Sequence, residues 1–344
     1  LLQQKKLDTK SLTSHIFPLS EASNAYQLLT GERKEEYLGI LIEYPEKKSE
    51  VIRIVKLNTS ASASNINVGF IGAGAFAQSY LLPFIKEHKV SLHTVSTAKP
   101  VNAITVGKKF NFLNATTNND EILNNSEINV VFCATLHDTH FEFVRKSLEN
   151  GKAVFVEKPL AINKEQLDKI TEVIARKQGK LLVGFNRRFS DSFKKINNFF
   201  EQRTEPMIIN YRVNSGKLPK NHWVYQKEQG EGRIIGESCH FIDCMVYLTK
   251  ELPTRVYAEC ISSDNHDVFN QDNVIITIKF SGGSVGVLTY LCNGDNSFPK
   301  EYCEVFCEGK VGVMNNFQNV VLVKNGKTTV QKSDGKKEIG RAHV

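Results

Sequence analysis

The stretch Asn67–Ala77, N-V-G-F-I-G-A-G-A-F-A, places the pattern G-x-G-x-x-A directly after an apolar strand and at the start of a helix. Gly72 permits the tight turn, Gly74 lets the backbone approach a pyrophosphate, and Ala77 lets the helix pack closely on the strand. The first amides of that helix then face the anion. The stretch therefore predicts a dinucleotide-binding turn.

Apolar strands and helices alternate after this turn. Strands are predicted at 66–71, 91–97, 130–135, 153–157 and 181–185, and helices at 75–88, 139–150 and 163–177. Asn163 is a suitable N-cap for the last helix, with Gln166 three residues later. The alternation predicts an α/β domain at 66–185 with a Rossmann-type, doubly wound parallel sheet.

The pattern changes after Phe185 and predicts a second domain at 186–338. Strands are predicted at 207–213, 255–262, 273–280, 284–291 and 301–308, with a helix at 235–248. The run Ser281-Gly282-Gly283-Ser284 has the composition of a tight hairpin turn. We expect an α+β domain with a large, mainly antiparallel open sheet.

The first 65 residues and the last six lie outside these domains. A helix with Ala22, Ala25 and Leu28 on one face precedes a strand at 37–44, and neither can bury its apolar face alone. The string H-x-F-P-L-x-x-A-x-x-A-Y-x-L-L at 15–29 resembles the tail of zinc-type medium-chain alcohol dehydrogenases. We expect 1–45 to be such a tail in a fragment of a fusion protein, and 46–65 to be a linker. The sequence IGRAHV at 339–344 resembles a translated sequencing adapter, and we expect it to be non-native.

Composition excludes several classes of protein. The 344 residues are 41% hydrophobic and 24% charged, which fits a soluble globular chain of about two domains. The net charge of +7 is spread without a basic block, which favours a small anionic ligand over nucleic acid. Apolar runs end well before the roughly 18 residues of a membrane span, so we expect no membrane contact and a cytoplasmic location. The seven cysteines contain no C-x-x-C pair and are expected to be reduced, mostly buried thiols without a metal.

The end of the second predicted strand offers no carboxylate for a ribose diol. It reads T-V-S-T-A-K at 94–99, where Ser96 and Thr97 can bond a diol or a phosphate. Lys99 can pair with a 2′-phosphate or be an ordinary solvated lysine. The expected cofactor is therefore NAD or NADP.

Three further motifs complete a resemblance to the Gfo/Idh/MocA oxidoreductases over about 65–332. They are V-E-K-P at 156–159, A-T-L-H-D-T-H at 134–140 and G-E-G-R-I-I-G-E-S-C-H-F-I-D at 230–243. Members of this family are nicotinamide-dependent dehydrogenases that act mainly on sugars, cyclitols and nucleotide sugars. The resemblance implies hydride transfer to or from a secondary alcohol of a sugar or nucleotide sugar. The fused tail suggests a place in polysaccharide biosynthesis.

The resemblance assigns catalytic roles to Lys158 and His240. Lys158 lies beside the nicotinamide and bonds the reacting hydroxyl, and Pro159 follows a cis peptide. An ammonium stabilises a developing alkoxide, and an imidazole can accept the hydroxyl proton. The alternatives are a solvated lysine and a buried, hydrogen-bonded histidine.

The remaining expected site residues follow from the same motifs. The expected cofactor-binding residues are Gly72, Gly74, Ala75, Phe76, Ala77, Ser96, Thr97, Thr135, His140, Glu157, Lys158 and Arg187. The expected substrate-binding residues are Lys158, Arg188, Trp223, His240 and Asp243. The alternative for one of Arg187 and Arg188 is a plain surface position, and the alternative for Trp223 is packing in the core.

One position departs from the family. Many members carry Asp four residues before the histidine, where this chain has Gly236, and a carboxylate follows as Glu237. Adjacent positions of an α-helix point about 100° apart, so Glu237 cannot simply replace that Asp. We expect Glu237 to be a catalytic residue that polarises His240 from another direction.

Two function classes remain at this point. The first is an NAD(P)-dependent oxidoreductase acting on CH–OH groups, and the alternative is a non-catalytic nucleotide-binding sensor or scaffold, favoured by Gly236. The resemblance also implies a homo-oligomer formed through the large sheet.

Overall fold

The computed structural model describes residues 10–44, 53–58, 65–226, 229–230, 232–265 and 269–337. The chain divides into two units, 1–52 and 53–344. The predicted non-native tail at 339–344 and most of the predicted linker lie outside the described residues.

The N-terminal unit is a small parallel β-α-β arrangement. Strand β1 (His15–Pro18) pairs in parallel with β2 (Ile40–Glu43), and helix α1 (Ala22–Leu29) joins them. Phe17, Ala25 and Leu28 form its buried cluster, which confirms the apolar helix face. The strand predicted at 37–44 is shorter and begins at Ile40.

The second unit begins with a seven-stranded sheet in the order β3-β6-β5-β4-β7-β8-β9. Its strands are β3 (Ile54–Lys56), β4 (Asn67–Ile71), β5 (Ser91–Ser96), β6 (Asn114–Thr116), β7 (Val130–Cys133), β8 (Ala153–Val156) and β9 (Leu181–Val183). All neighbours are parallel except β3 and β6. Its helices are α2 (Ala75–Tyr80), α3 (Leu82–Ile85), α4 (Pro100–Phe110), α5 (Asp120–Leu123), α6 (His137–Glu149) and α7 (Lys164–Lys177). The predicted doubly wound fold is confirmed.

Two local predictions for this domain are wrong. The helix predicted at 75–88 is two short helices that break at Leu81, because Pro83 has no N–H for the helical ladder. The predicted linker contains β3, which forms the sheet edge, and Leu57 packs against the core behind it. Residues 54–56 of the predicted linker therefore belong to the sheet of this unit.

The remainder of the unit is an eight-stranded sheet with helices on one face. Its strands are β10 (Ile208–Asn214), β11 (Pro253–Cys260), β12 (Val274–Phe280), β13 (Val285–Leu291), β14 (Glu301–Cys307), β15 (Lys310–Asn315), β16 (Asn319–Lys324) and β17 (Lys327–Lys332). The order is β11-β12-β13-β10-β14-β15-β16-β17, and only β10 and β13 are parallel neighbours. The large, mainly antiparallel sheet is thus confirmed, including the turn between β12 and β13.

Helices α8 (Asp191–Phe199) and α9 (Cys239–Thr249) cover this sheet. Their buried side chains, including Phe193 and Phe241, pack with inward residues of the strands such as Tyr211 and Tyr290. Alternate residues of β12 and β13 are buried, as expected for a sheet covered on one face. The opposite face of the sheet remains exposed.

Candidate active site

The predicted site segments follow the carboxyl ends of neighbouring parallel strands. They are Gly72 after β4, Thr135 after β7, Glu157 after β8 and Arg187 in the segment after β9. The carboxyl ends of parallel strands meet at one edge of a sheet, which is the common binding edge of such folds. The topology therefore brings these segments together.

The glycine-rich turn has the geometry that the sequence predicted. Gly72 has φ +90°, and a Cβ there would lie 2.5 Å from the carbonyl oxygen of Ala134 and from Cγ2 of Thr135. Gly74 precedes α2, and no heavy atom of the described residues lies within 4 Å of the place where its Cβ would be. Ala77 is buried against the sheet. The turn thus presents open backbone at Gly74 while Gly72 and Ala77 hold it tightly to the strands.

The hydroxyls at the end of β5 both donate to groups within the protein. Ser96 is buried and donates to Oδ1 of Asn119 at 2.6 Å, and Thr97 donates to the carbonyl of Lys99 at 2.8 Å. Their hydrogens are therefore used, and only acceptor lone pairs remain for a ligand.

The Glu-Lys-Pro loop carries Lys158 across to the second domain. The Lys158–Pro159 peptide is cis, as expected. Nζ of Lys158 donates to the carbonyl oxygen of Gly236 at 3.1 Å. Lys158 is thus held by the same residue that departs from the family pattern.

His140 supports this loop from behind. Its Nδ1 lies 2.7 Å from the carbonyl oxygen of Pro159, and its Nε2 lies 3.2 Å from that of Thr135. The side chain is completely buried, and burial lowers its pKa. The prediction that His140 contacts the cofactor is corrected: the ring has no accessible surface, so it positions Pro159 instead.

A π-helical turn, Ile234–Ser238, leads into α9 and replaces the first part of the helix predicted at 235–248. π-helical turns are uncommon in proteins, and many of those that do occur lie at functional sites. The turn places the Gly236 carbonyl at Lys158 and precedes His240, which is buried with its ring 6.0 Å from that of Phe185, edge to face.

Lys158 and His240 line one cavity of about 230 Å³. The other lining residues are Phe76, Glu157, Gly184, Asn186, Arg187 and Lys337. Five of the eight were predicted site residues, from both domains: Phe76, Glu157, Lys158, Arg187 and His240. The cavity therefore brings the predicted catalytic pair together with the phosphate-binding turn.

Glu157 lies directly against Gly184. A Cβ at Gly184 would be 2.9 Å from Oε1 of Glu157, so the carboxyl group lies against this glycine and would have to shift for any larger residue. Burial raises the pKa of Glu157 to about 7, against the opposing effect of Lys158. The carboxyl group is therefore partly protonated at neutral pH.

His137, the first residue of α6, occupies the space beside Gly236. A Cβ on Gly236 would lie 3.1 Å from Cε1 and 3.6 Å from Nδ1 of His137. Its Nδ1 has no hydrogen-bond partner among the described residues, and its ring packs edge-on against Trp223 at 4.8 Å. Burial, together with the charges of Lys158 and His140, lowers the pKa of His137 to about 3. A neutral imidazole therefore stands where the family's aspartate would project.

Glu237 is committed to other partners and is not a catalytic residue in this geometry. Its Oε1 accepts from Arg233 at 3.1 Å, and its Oε2 accepts from Ser215 at 3.2 Å. Burial raises its pKa, but Arg233 and Lys300 outweigh burial and hold the pKa below its ordinary value. The expectation that Glu237 polarises His240 is corrected, because both carboxylate oxygens are bonded within the second domain.

Arg187 is part of a buried ion cluster. It forms two hydrogen bonds to Glu301, at 2.9 and 3.0 Å, and Tyr211 and Lys337 donate to the same carboxylate at 2.9 and 2.7 Å. Complete burial raises the pKa of Glu301, but Arg187 and Lys337 reverse this and lower it to about 2. Arg187 lines the cavity with its charge already paired.

Arg188 and Asp243, both predicted to bind substrate, satisfy each other. Arg188 forms a bidentate pair with Asp243, with Nε at 2.8 Å from Oδ2. Neither residue lines the cavity of Lys158 and His240. The substrate role of this pair is therefore not supported, since its charges form a structural bridge between the domain junction and α9.

Trp223 lies in a short 3-10 turn, Trp223–Tyr225, and is partly exposed. Its contact with His137 places it next to Gly236 and Lys158. Both its predicted substrate role and its packing role remain compatible with this position.

Sequence reasoning missed His137, Gly184, Glu301 and Lys337. His137 lies inside the quoted A-T-L-H-D-T-H motif, where a second histidine was a usable signal. Lys337 lies in the polar segment S-D-G-K-K and carried no signal, because only the fold brings it to Glu301.

The described residues contain no group of three or more His, Cys, Asp or Glu side chains arranged to hold a metal. All seven cysteines are free thiols; five are buried, Cys239 is partly exposed and Cys260 is exposed. Within the same residues, no helix combines the length and apolar character needed to cross a bilayer.

Two family models match the chain. A model described as an oxidoreductase family with an NAD-binding Rossmann fold matches 66–185, and a GFO/IDH/MocA C-terminal domain matches 205–310. Together they cover more than half of the 344 residues.

Curated relatives align with both domains. The chain is 23% identical to a myo-inositol 2-dehydrogenase of Thermotoga maritima, over 65% of this chain and 67% of that protein. It is 25% identical to a levoglucosan dehydrogenase of Pseudarthrobacter phenanthrenivorans, over 68% of this chain and 70% of that protein. The chain therefore spans about two thirds of the length of these relatives.

Solved structures share the fold. An NAD-binding oxidoreductase from Klebsiella pneumoniae superimposes with a TM-score of 0.68 at 19% identity, covering 78% of this chain and 79% of that one. A levoglucosan dehydrogenase in complex with NADH gives 0.68 at 21% identity, covering 80% and 83%. These likenesses confirm the two-domain architecture.

Proposed function

The chain belongs to the Gfo/Idh/MocA oxidoreductase family and is a nicotinamide-dependent oxidoreductase, and from this premise we propose that it oxidises or reduces a secondary alcohol of a sugar or nucleotide sugar. The observation that carries the proposal is the cavity of about 230 Å³ lined by both Lys158 and His240. Relatives named as dehydrogenases of an inositol and of levoglucosan support a polyhydroxylated substrate.

The glycine-rich turn fits a dinucleotide. Gly74 leaves its surroundings open, and Phe76 on the following helix lines the cavity. When bound there, the nicotinamide supplies the hydride acceptor or donor. The complex of a relative with NADH favours NAD, while the missing carboxylate after β5 keeps NADP as the alternative.

Lys158 is suited to stabilise negative charge on the reacting oxygen. Its ammonium is held by the Gly236 carbonyl at 3.1 Å, an interaction that leaves donors for a substrate hydroxyl. As hydride leaves the carbinol carbon, the hydroxyl proton must also leave, and His240 on the cavity wall accepts it. In reduction, the same imidazole returns the proton to the oxygen.

The competing hypothesis is a non-catalytic nucleotide-binding sensor, and it rests on Gly236. The neighbourhood of that residue argues for the enzyme, because the carbonyl of Gly236 orients Lys158 and His137 fills the remaining space. A sensor would not require an ammonium held in the same cavity as a histidine.

The test is turnover by the purified protein with NADH, NADPH, NAD or NADP and a panel of sugars, cyclitols and nucleotide sugars. We expect turnover with at least one member, its loss in Lys158→Ala, and its retention in the matched control Lys164→Ala, which alters an exposed lysine. Cofactor binding without turnover on the whole panel would support the sensor. Turnover that survives in Lys158→Ala would remove this lysine from the mechanism.

We also propose a homo-oligomer built on the exposed face of the large sheet. Ile208, Tyr257, Ile275 and Phe306 are between 38% and 66% exposed on this face. Exposed apolar clusters of this kind mark association surfaces. Sedimentation equilibrium should give more than one subunit per particle for the wild type and a monomer for Ile208→Asp/Ile275→Asp.

The N-terminal unit supports the proposal of a fused alcohol-dehydrogenase-like domain. Its strands are parallel, and parallel sheets are usually covered on both faces, yet Ile16 and Leu41 are 61% and 52% exposed. We therefore propose that a larger sheet continues this pair, in a protein of polysaccharide metabolism. The genomic DNA on either side of this segment tests the idea: it should encode a dinucleotide-binding domain upstream of residue 1.

A further inference from the structure

The cavity carries a lysine that the proposed mechanism does not use. Lys337 follows the last strand of the large sheet, and its side chain reaches the wall that Lys158 and His240 also line. Asn186 fixes its backbone by donating to the Lys337 carbonyl at 2.9 Å. The position of this lysine is therefore built by the junction of the two domains rather than by a free surface segment.

Cations outnumber carboxylates around this cavity. Lys158, Arg187 and Lys337 line it, whereas the described acidic groups beside it are Glu157 and Glu301. Glu157 is only partly ionised near pH 7, since burial raises its pKa to about 7. Glu301 is fully ionised, but Arg187 already engages both of its oxygens. The balance leaves more than one positive charge without a counter-charge.

Lys337 has the capacity to bind an additional anionic oxygen. Its bond to Glu301, at 2.7 Å, uses one of the three ammonium donors, and its side chain is 29% exposed while Glu301 is fully buried. Lys300 lies outside this balance because it pairs with Glu237 at 3.8 Å, so the positive field comes from the cations that line the cavity. Such a field in a small cleft attracts and orients anions.

On the basis of the proposed function, we propose that the substrate is an anionic sugar, whose carboxylate or phosphate oxygen is bound by Lys337 while its carbinol faces Lys158 and His240. The two anions share the same recognition chemistry, a charge-assisted hydrogen bond from an ammonium. Neutral sugars and cyclitols offer Lys337 only hydroxyl oxygens, which make weaker bonds than a charged oxygen does.

The experiment compares matched ligands by calorimetry and by turnover, on the full chain loaded with NADH. D-Glucuronate and D-gluconate represent carboxylates, α-D-glucose 1-phosphate and UDP-glucose represent phosphates, and D-glucose is the neutral counterpart. We expect one charged ligand to bind at least about 10-fold more tightly than D-glucose. Lys337→Gln should weaken that ligand about 10- to 100-fold and leave D-glucose unchanged.

Two control variants separate binding from folding. Lys336→Gln removes the exposed neighbouring charge and should leave every affinity unchanged, and Lys337→Arg should keep the preference for the anion. Equal binding of neutral and charged ligands, no binding of any charged ligand, or a preference that persists in Lys337→Gln would overturn the inference. Turnover of neutral sugars without charge preference would overturn it while upholding the proposed function. Anion binding at Lys337 without turnover of any ligand would uphold this inference and overturn the proposed function.

Discussion

His137 fills the space that a side chain at residue 236 would need: a Cβ on Gly236 would lie 3.1 Å from Cε1 of the His137 ring. The two residues are 99 positions apart in the sequence, and the fold brings them side by side. The neutral ring also packs on Trp223, so it cannot move away without disturbing that contact. Glycine at 236 and histidine at 137 therefore form a complementary pair.

This pair predicts strong coupling between substitutions. Gly236→Asp should lower the free energy of unfolding by about 1–3 kcal/mol, because the new side chain presses on a well-packed ring. The double variant His137→Ala/Gly236→Asp should lose at least about 1 kcal/mol less free energy of unfolding than the two single variants lose in sum. Denaturant unfolding of the four proteins in the cycle measures the coupling, and additive effects would show that the two sites are independent.

A second prediction concerns pH. His137 has a pKa of about 3 in the folded protein against 6.5 for an ordinary histidine, so the unfolded chain binds more protons between these values. Stability must then rise with pH across this window and be lost as the pH falls below about 6.5. The free energy of unfolding, measured from pH 4 to 8, should fall less steeply toward acid in His137→Asn than in the wild type.

Identical pH profiles for His137→Asn and the wild type would show that His137 is not held neutral by its surroundings.

The buried ion cluster gives a third prediction. Glu301→Gln leaves Arg187 and Lys337 without their shared carboxylate, which should destabilise the protein by about 3–5 kcal/mol. Tyr211→Phe removes one hydrogen bond to the same group and should cost only about 1 kcal/mol. Glu304→Gln, on the same strand, should have little effect. Thermal unfolding ranks the three variants, and an equal loss in all of them would contradict the cluster.

Local patterns were sufficient to predict the architecture and most of the cavity. The glycine-rich turn and the Glu-Lys-Pro loop follow β4 and β8 of one sheet, and the helix of His240 belongs to the second domain. Each of the three has a contiguous signature in the sequence. The short strands β3 and β6 have three residues each and no periodicity to detect. They form because β6 pairs with β5 of the sheet and β3 then pairs with β6.

The remaining errors concern side-chain partners from distant parts of the chain. The position of Glu237 in the sequence favours a catalytic role, but Ser215 and Lys300 bind it within the second domain. The sequence predicts that His140 contacts the cofactor, but its Nδ1 faces the carbonyl oxygen of Pro159 in the buried interior. Which partner a polar side chain bonds depends on the groups that the fold brings near it. No local pattern in a single sequence shows which distant residues those are.

The glycine-rich turn gives the last prediction, because its two glycines have different reasons for lacking a side chain. At Gly72, alanine would have φ +90° and a Cβ 2.5 Å from the Ala134 carbonyl, so Gly72→Ala should unfold at a clearly lower temperature. At Gly74, φ is −73° and the Cβ meets no described atom within 4 Å, so Gly74→Ala should fold as the wild type does. The same Cβ would stand where the pyrophosphate approaches, and NADH affinity should drop about 10-fold or more. Fluorescence titration with NADH and differential scanning calorimetry separate the two effects; a Gly74→Ala protein that keeps full NADH affinity would place the cofactor away from this turn.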